Sequence, residues 1–276
     1  MNCRLIVYIA ALLLGACGQP QPRATDDHPF QFSQMHQWKL PKALKEISGL
    51  ALTQDERLFA IEDESANVFE LDYDQGRLIK RFAVSDPVLR GDFEGIAATP
   101  DALYIITSDG ILISFQEGDD DDSVEFTRHD TGVGMFCEVE GLAFNPQDTS
   151  LLMACKQPLT QALGDRIVVF RWWLREARFD TLFNVDAKEI TKRLQTKDFN
   201  PSGIAVDGST IVLIAAKQAA LVKLTQTGEV LDAYVLPTAD RHRQAEGVAL
   251  TRQRRLLLAD EGGNRKARLS VYEQFD

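Results

Sequence analysis

Histidine is scarce in this chain, with four residues in 276, and cysteine is equally so. Neither type falls into the spacing of a zinc site, no Ser/His/Asp order stands out, and no glycine-rich loop of the phosphate-cradling kind is present. Positive charge is also short: 30 Lys and Arg face 41 Asp and Glu, a net charge of -11. That excludes nucleic acid and anionic membrane surfaces as partners, since both require clustered Lys and Arg. No apolar run is long enough to span a bilayer. The longest, residues 5–14, stands behind Arg4 and reads as the core of a signal peptide.

That run ends in Leu14-Gly15-Ala16-Cys17, which resembles the lipobox of bacterial lipoproteins. The resemblance implies a leader over residues 1–16 and a lipidated Cys17 as the mature N-terminus. Gly18, where an Asp would retain the protein in the inner membrane, implies sorting to the outer membrane, facing the periplasm. Residues 17–29 are Pro-rich and polar and are expected to tether the lipid to a domain spanning 30–276. Cys3 leaves with the leader, so Cys137 and Cys155 remain in an oxidising compartment. A disulfide and two separate buried thiols both stay open, because a hairpin's register cannot be read from sequence.

What the chain does have is a repeat. Asp92-Phe93-Glu94-Gly95-Ile96-Ala97 returns as close copies centred on Gly49, Gly141, Gly203 and Gly247, at intervals of 46, 46, 62 and 44 residues. A period of this size marks an array of like units. Each copy opens an apolar strand, followed by a polar turn and a second apolar strand at 58–61, 103–107, 151–154, 211–215 and 256–259. A third strand follows each time, and a fourth follows in all but the last unit, where the chain ends. The expected fold is all-β: a five-bladed β-propeller of four-stranded blades. Residues 30–40 are expected to supply the missing strand of the last blade and close the ring, removing two exposed sheet edges. The long third interval carries an insertion whose residues 187–194 have helical spacing. The acidic run 117–122 reads as a solvated loop.

In each unit the residues one and three before the glycine are polar: Glu46/Ser48, Asp92/Glu94, Glu138/Glu140, Asn200/Ser202 and Gln244/Glu246. In a hairpin they share a rim with the ends of the second strands, where Asp63, Asp109, Lys156, Lys217 and Asp260 stand. Glu94, Glu140, Glu246, Asp63, Asp109 and Asp260 are thus expected around one axis. Such a cluster is costly unless protonated, paired or bound to a cation. Lys156 and Lys217 are placed to offset part of it. Hard carboxylates without a His or Cys set suit Ca²⁺ first. The alternative is a purely structural ring of salt bridges.

The repeated S/E-G-[LIV]-A pattern, the run from Ile47 through Asp72 and the Asp92-Phe93-Glu94-Gly95-Ile96-Ala97 element resemble the SdiA-regulated (YjiK-like) family, over essentially the whole mature domain. The resemblance implies a five-bladed propeller distantly related to NHL-repeat proteins, with a calcium site in some members, and no established activity. Two function classes follow. One is a non-enzymatic calcium-binding module, presenting the channel mouth to a protein or small-molecule ligand and touching the membrane only through its lipid. The other is a metal-dependent hydrolase of lactonase or phosphoesterase type, for which His242 is the one candidate base near the mouth.

Overall fold

The computed structural model describes residues 35–237 and 241–275. The expected leader, Cys17, the tether and residues 30–34 of the expected closing strand lie outside them. The chain enters through β1 (Met35–Lys39) and builds a first blade from β2 (Ile47–Leu52), β3 (Leu58–Glu62), β4 (Asn67–Asp72) and β5 (Arg77–Val84). The second uses β6 (Phe93–Ala98), β7 (Leu103–Thr107) and β8 (Ile111–Phe115), followed by β9 (Ser123–Val124) and β10 (Phe126–Asp130). The third is β11 (Cys137–Asn145), β12 (Ser150–Pro158), β13 (Arg166–Trp173) and β14 (Arg178–Asp186). After helix α1 (Lys188–Leu194) come β15 (Gly203–Asp207), β16 (Thr210–Ala215), β17 (Ala220–Thr225) and β18 (Val230–Val235). The last three strands are β19 (Ala245–Leu250), β20 (Leu256–Asp260) and β21 (Arg268–Tyr272).

The sheet order β1-β21-β20-β19 closes a five-bladed propeller with the N-terminal strand, as expected. Met35 pairs with Tyr272 and Lys39 with Arg268, antiparallel. The core is divided into five layers, one between each pair of neighbouring blades. Second strands read as unbroken apolar runs because both of their faces are covered. On β12, Leu152 and Ala154 pack toward the fourth blade, and Leu151, Met153 and Cys155 toward the second.

Crowding at the axis explains the repeated glycine. A Cβ on Gly49 would lie 3.2 Å from Gly95 Cα, and one on Gly247 would lie 2.7 Å from Leu50 Cγ. Each space is therefore taken by the innermost strand of the next blade.

The acidic residues of the run 117–122 are exposed in a loop, as expected, and several of them are paired. Glu117 pairs with Arg57 and Lys80, Asp121 pairs with Arg81 at 2.9 Å, and the Arg81 amide donates to Asp120 at 3.0 Å. These contacts draw the loop across to the first blade. Residues 123–124 then join β5 in parallel, and only 126–130 complete the second blade. The fourth strand expected in the second unit is thus split between two sheets, and the added piece covers the β5 edge.

The insertion forms α1, whose Ile190 and Leu194 are buried in the layer between the third and fourth blades. Asp186 accepts from the Lys188 amide at its start, and Gln195 ends it at φ 57°. Cys137 and Cys155 form a disulfide joining β11 to β12, with Cα atoms 5.7 Å apart.

Candidate functional site

A register feature aims the motif side chains. On β2, Ile47 faces Glu62 and Gly49 faces Ile61, so Ser48 is an extra residue with no partner of its own. The same two-against-one step occurs at Glu94 on β6 and at Glu246 on β19, and β11 has its irregularity between Val139 and Leu142, around Glu140. A β-bulge kinks its strand and redirects the extra side chain. Here that residue is the last before each glycine. The fourth blade differs, because its first strand begins only at Gly203, behind Pro201. There the Ser202 hydroxyl donates to the Ala245 carbonyl at 2.7 Å and accepts from the Ala216 amide at 2.9 Å.

Three of the six expected carboxylates come together. Burial, followed by the charges of Glu140 and Asp92, pushes Glu94 well above the usual carboxylate range. Burial also raises Glu140, against the pull of Lys156. Glu246 is pushed up to about 8 by burial and then by Glu140. Lys156 donates to Glu140 and lies 3.7 Å from Glu138, and it is the cation that lowers all three. Lys217, also expected to offset the cluster, is exposed and paired with Asp198 at 3.1 Å. One ammonium therefore faces one buried and two half-buried acids. The Ser48 hydroxyl, in a residue 6% exposed, has no hydrogen-bond partner among the described residues. It lines, with Glu246, a small gap on the axis.

Asp63 and Asp109 stand apart, and Asp260, whose charge also raises Glu246, is held by His242. Asp63 sits in a second acidic group at the junction of the first and last blades. Burial, then Glu46, Glu62, Glu64 and Glu261, push it up to about 6, and its Oδ1 is buried without a partner among the described residues. Asp109 is exposed and accepts from Thr107. Asp260 is buried, with Oδ2 2.7 Å from His242 Nδ1, while His242 Nε2 is 2.6 Å from the Tyr272 hydroxyl. Burial raises Tyr272, so its hydroxyl keeps its proton beside the imidazole. His242 is 1% exposed with both ring nitrogens engaged. It is a tie between the site-side end of β20 and β21 rather than a base open to a substrate.

Among the described residues, no three His, Cys, Asp or Glu side chains already converge as a ligand shell. The chemistry of the trio nonetheless fits a hard divalent cation: three carboxylates that resist ionisation together, and a buried hydroxyl lacking a partner. Lys156 holds the place of the counter-charge.

A pH dependence follows. In the unfolded chain these acids ionise near about pH 4. In the folded state Glu94, Glu140, Glu246 and Asp63 all hold their protons to higher pH. The folded protein thus binds more protons across this window, and stability falls as pH rises through the folded-state values. Calorimetry in EDTA is expected to show a higher melting temperature at pH 5.5 than at pH 8; an equal or lower value would contradict this assignment.

The family model described as SdiA-regulated matches residues 28–265. No curated protein matches the chain in sequence. Among solved structures, Myxococcus xanthus glutaminyl cyclase is similar at 13% identity and a TM-score of 0.56, over 86% of this chain and 95% of that one. The PQQ-bound aldose sugar dehydrogenase from Streptomyces coelicolor is similar at 14% identity and a TM-score of 0.51, over 86% and 98% of the two chains. A luciferin-regenerating enzyme gives 8% and 0.51 over 88% and 94%. At such identities the likeness is one of fold alone.

Proposed function

The chain belongs to the SdiA-regulated family, and from that premise we propose that it is a non-enzymatic binding module. In this reading it is held by lipid on the periplasmic face of the outer membrane, with a calcium site at the mouth of its propeller. The observation that carries the reading is the convergence of Glu94, Glu140 and Glu246 on bulged strands, with Lys156 as their one close counter-charge among the described residues. The three glutamates with Ser48 would hold the ion, which when bound supplies the positive charge that lets the acids ionise together. Lys156 contacts Oε1 of Glu140, which leaves Oε2 to take the ion. Asp63 and Asp109 are outside it, and Asp260 borders it while bonded to His242. Exposed Met135, Phe136 and Leu159 stand on the same rim, at the start of β11 and the end of β12, and support a protein or small-molecule partner there. The hydrolase reading lacks an accessible base, because His242 is buried.

The anchor rests on the Leu14-Gly15-Ala16-Cys17 pattern, and the Cys137–Cys155 disulfide supports an oxidising compartment. No helix among the described residues is long and apolar enough to cross a membrane. Metabolic labelling with palmitate is expected to mark the wild type and not Cys17→Ser; label on the variant would remove the lipid assignment.

For calcium, titration calorimetry at pH 7 is expected to show binding, and EDTA is expected to lower the melting temperature, since a ligand taken only by the folded state stabilises it. Glu94→Gln with Glu140→Gln is expected to abolish both effects while raising metal-free stability. Absence of calcium heat together with an EDTA-insensitive wild type would reduce the cluster to a structural ring.

A further inference from the structure

The axis has a second mouth, on the face opposite the glutamates. It opens into a funnel of about 590 Å³. Its floor is one residue from each blade, the one following each repeated glycine: Leu50, Ile96, Leu142, Ile204 and Val248. All five are nearly buried, and they leave at the level of the glycines a gap of only about 10 Å³, room for little more than one water. The funnel is therefore blind, and nothing larger passes from it to the acidic mouth. Strand alternation sets the third residue after each glycine above the first on the same face, so Ala98 and Phe144 continue the apolar wall outward.

The volume is within the range of small-molecule sites, roughly 300–1,000 Å³, and an apolar floor beneath a few polar groups is the usual construction of such sites. The polar groups are at the rim. Tyr104, half-buried on β7, has no hydrogen-bond partner for its hydroxyl among the described residues, and Arg175, exposed in the turn between β13 and β14, makes neither hydrogen bond nor ion pair among them. Arg252 donates to the Gln54 carbonyl and is likewise in no ion pair there. Of the two rim acids, Glu56 accepts from the Arg252 amide at 2.5 Å and Asp101 is exposed. We propose that this funnel binds an amphiphilic monoanion, an alkyl or aryl carboxylate whose apolar body stands on the five-residue floor and whose head meets Arg175 at the rim. A guanidinium suits that head because its fork matches a carboxylate with two parallel hydrogen bonds. The site is independent of the calcium reading, since the glycine level separates the two mouths.

The test uses the purified full chain carrying Cys17→Ser, in detergent-free buffer, titrated calorimetrically with sodium decanoate below its micelle concentration. One decanoate per chain is expected, with decanol and decylammonium each bound at least about tenfold more weakly. Arg175→Glu is expected to weaken decanoate at least about tenfold and to erase its advantage over decylammonium. Ala98→Trp is expected to abolish binding by filling the funnel, and Glu94→Gln with Glu140→Gln is expected to leave it unchanged. Should Ala98→Trp fail to fold, Arg175→Glu decides, because that exposed turn residue has no hydrogen bond or ion pair among the described residues to lose. No binding of decanoate, binding undiminished in Arg175→Glu or in a folded Ala98→Trp, or a wild-type preference for decylammonium would overturn the proposal.

Discussion

Gly95→Ala is expected to destabilise the protein by about 3 kcal/mol or more, a large effect for one methyl group. The added carbon would lie 2.4 Å from the Leu142 nitrogen, 2.8 Å from the Gly141 carbonyl carbon and 2.9 Å from Leu142 Cβ. Two of these atoms are backbone of β11, the innermost strand of the next blade, so no rotamer change relieves the overlap. The blades must move apart, and because the ring is closed the displacement passes to every interface. Loosening any one of the five layers exposes apolar surface at roughly 25 cal/mol per Å². Gly208 supplies the contrast: it sits at φ 56° with nothing within 4 Å of a built Cβ. Asn tolerates that conformation, so Gly208→Asn is expected to change stability by less than about 1 kcal/mol. Urea unfolding of the two variants beside the wild type measures the difference. A Gly95→Ala midpoint equal to that of Gly208→Asn would mean that the axis has slack that these distances deny.

The same glycines show how far the amino-acid order discloses the molecule. Their spacing reveals the blade count, since each marks the place where an innermost strand passes the axis. The strand donated at the N-terminus follows from the missing fourth strand of the last unit. Both are properties of single segments, carried by composition and order. The aim of the glutamates is different in kind. Glu94 and Glu246 reach the axis because each is the extra residue of a bulge, and a bulge is defined by the partner strand. Nothing within Asp92-Phe93-Glu94-Gly95 states that two residues will face one. For the same reason Asp260, aligned with Asp63 and Asp109 by position, is instead held by His242, which comes from the connection between β18 and β19, outside the repeated strands. Lys217 matches Lys156 in the repeat but turns to Asp198, an acid in the connection between α1 and β15. The split of the outer strand near residue 124 depends on Arg57, Lys80 and Arg81 of another blade.

Removing the closing strand tests the ring from its other end. Deletion through Pro41 is expected to lower the melting temperature by about 10 °C or more and to cause aggregation, whereas deletion of residues 18–28 is expected to do neither. β1 pairs with β21 along five residues, and the Leu40 amide extends the pairing to the Ala267 carbonyl at 2.9 Å. Leu40 is 1% exposed within the layer between the last and first blades. Trp38 lies against Gly76, where a built Cβ would fall 2.2 Å from its ring, and donates to the Tyr73 carbonyl at 3.1 Å. The segment thus joins the last blade to the first as well as completing the last. Loss of Leu40 and the half-buried Trp38 removes about 3 kcal/mol of apolar burial before any ladder hydrogen bond is considered. For a domain of this size each kcal/mol shifts melting by roughly 2–4 °C. What remains is an open β21 edge whose amides and carbonyls can pair with another molecule, which is the physical route to aggregation. Scanning calorimetry and light scattering on the two truncations decide the matter: equal melting and equal monodispersity would show that the ring is held closed by its innermost strands alone, with β1 an ornament on its rim.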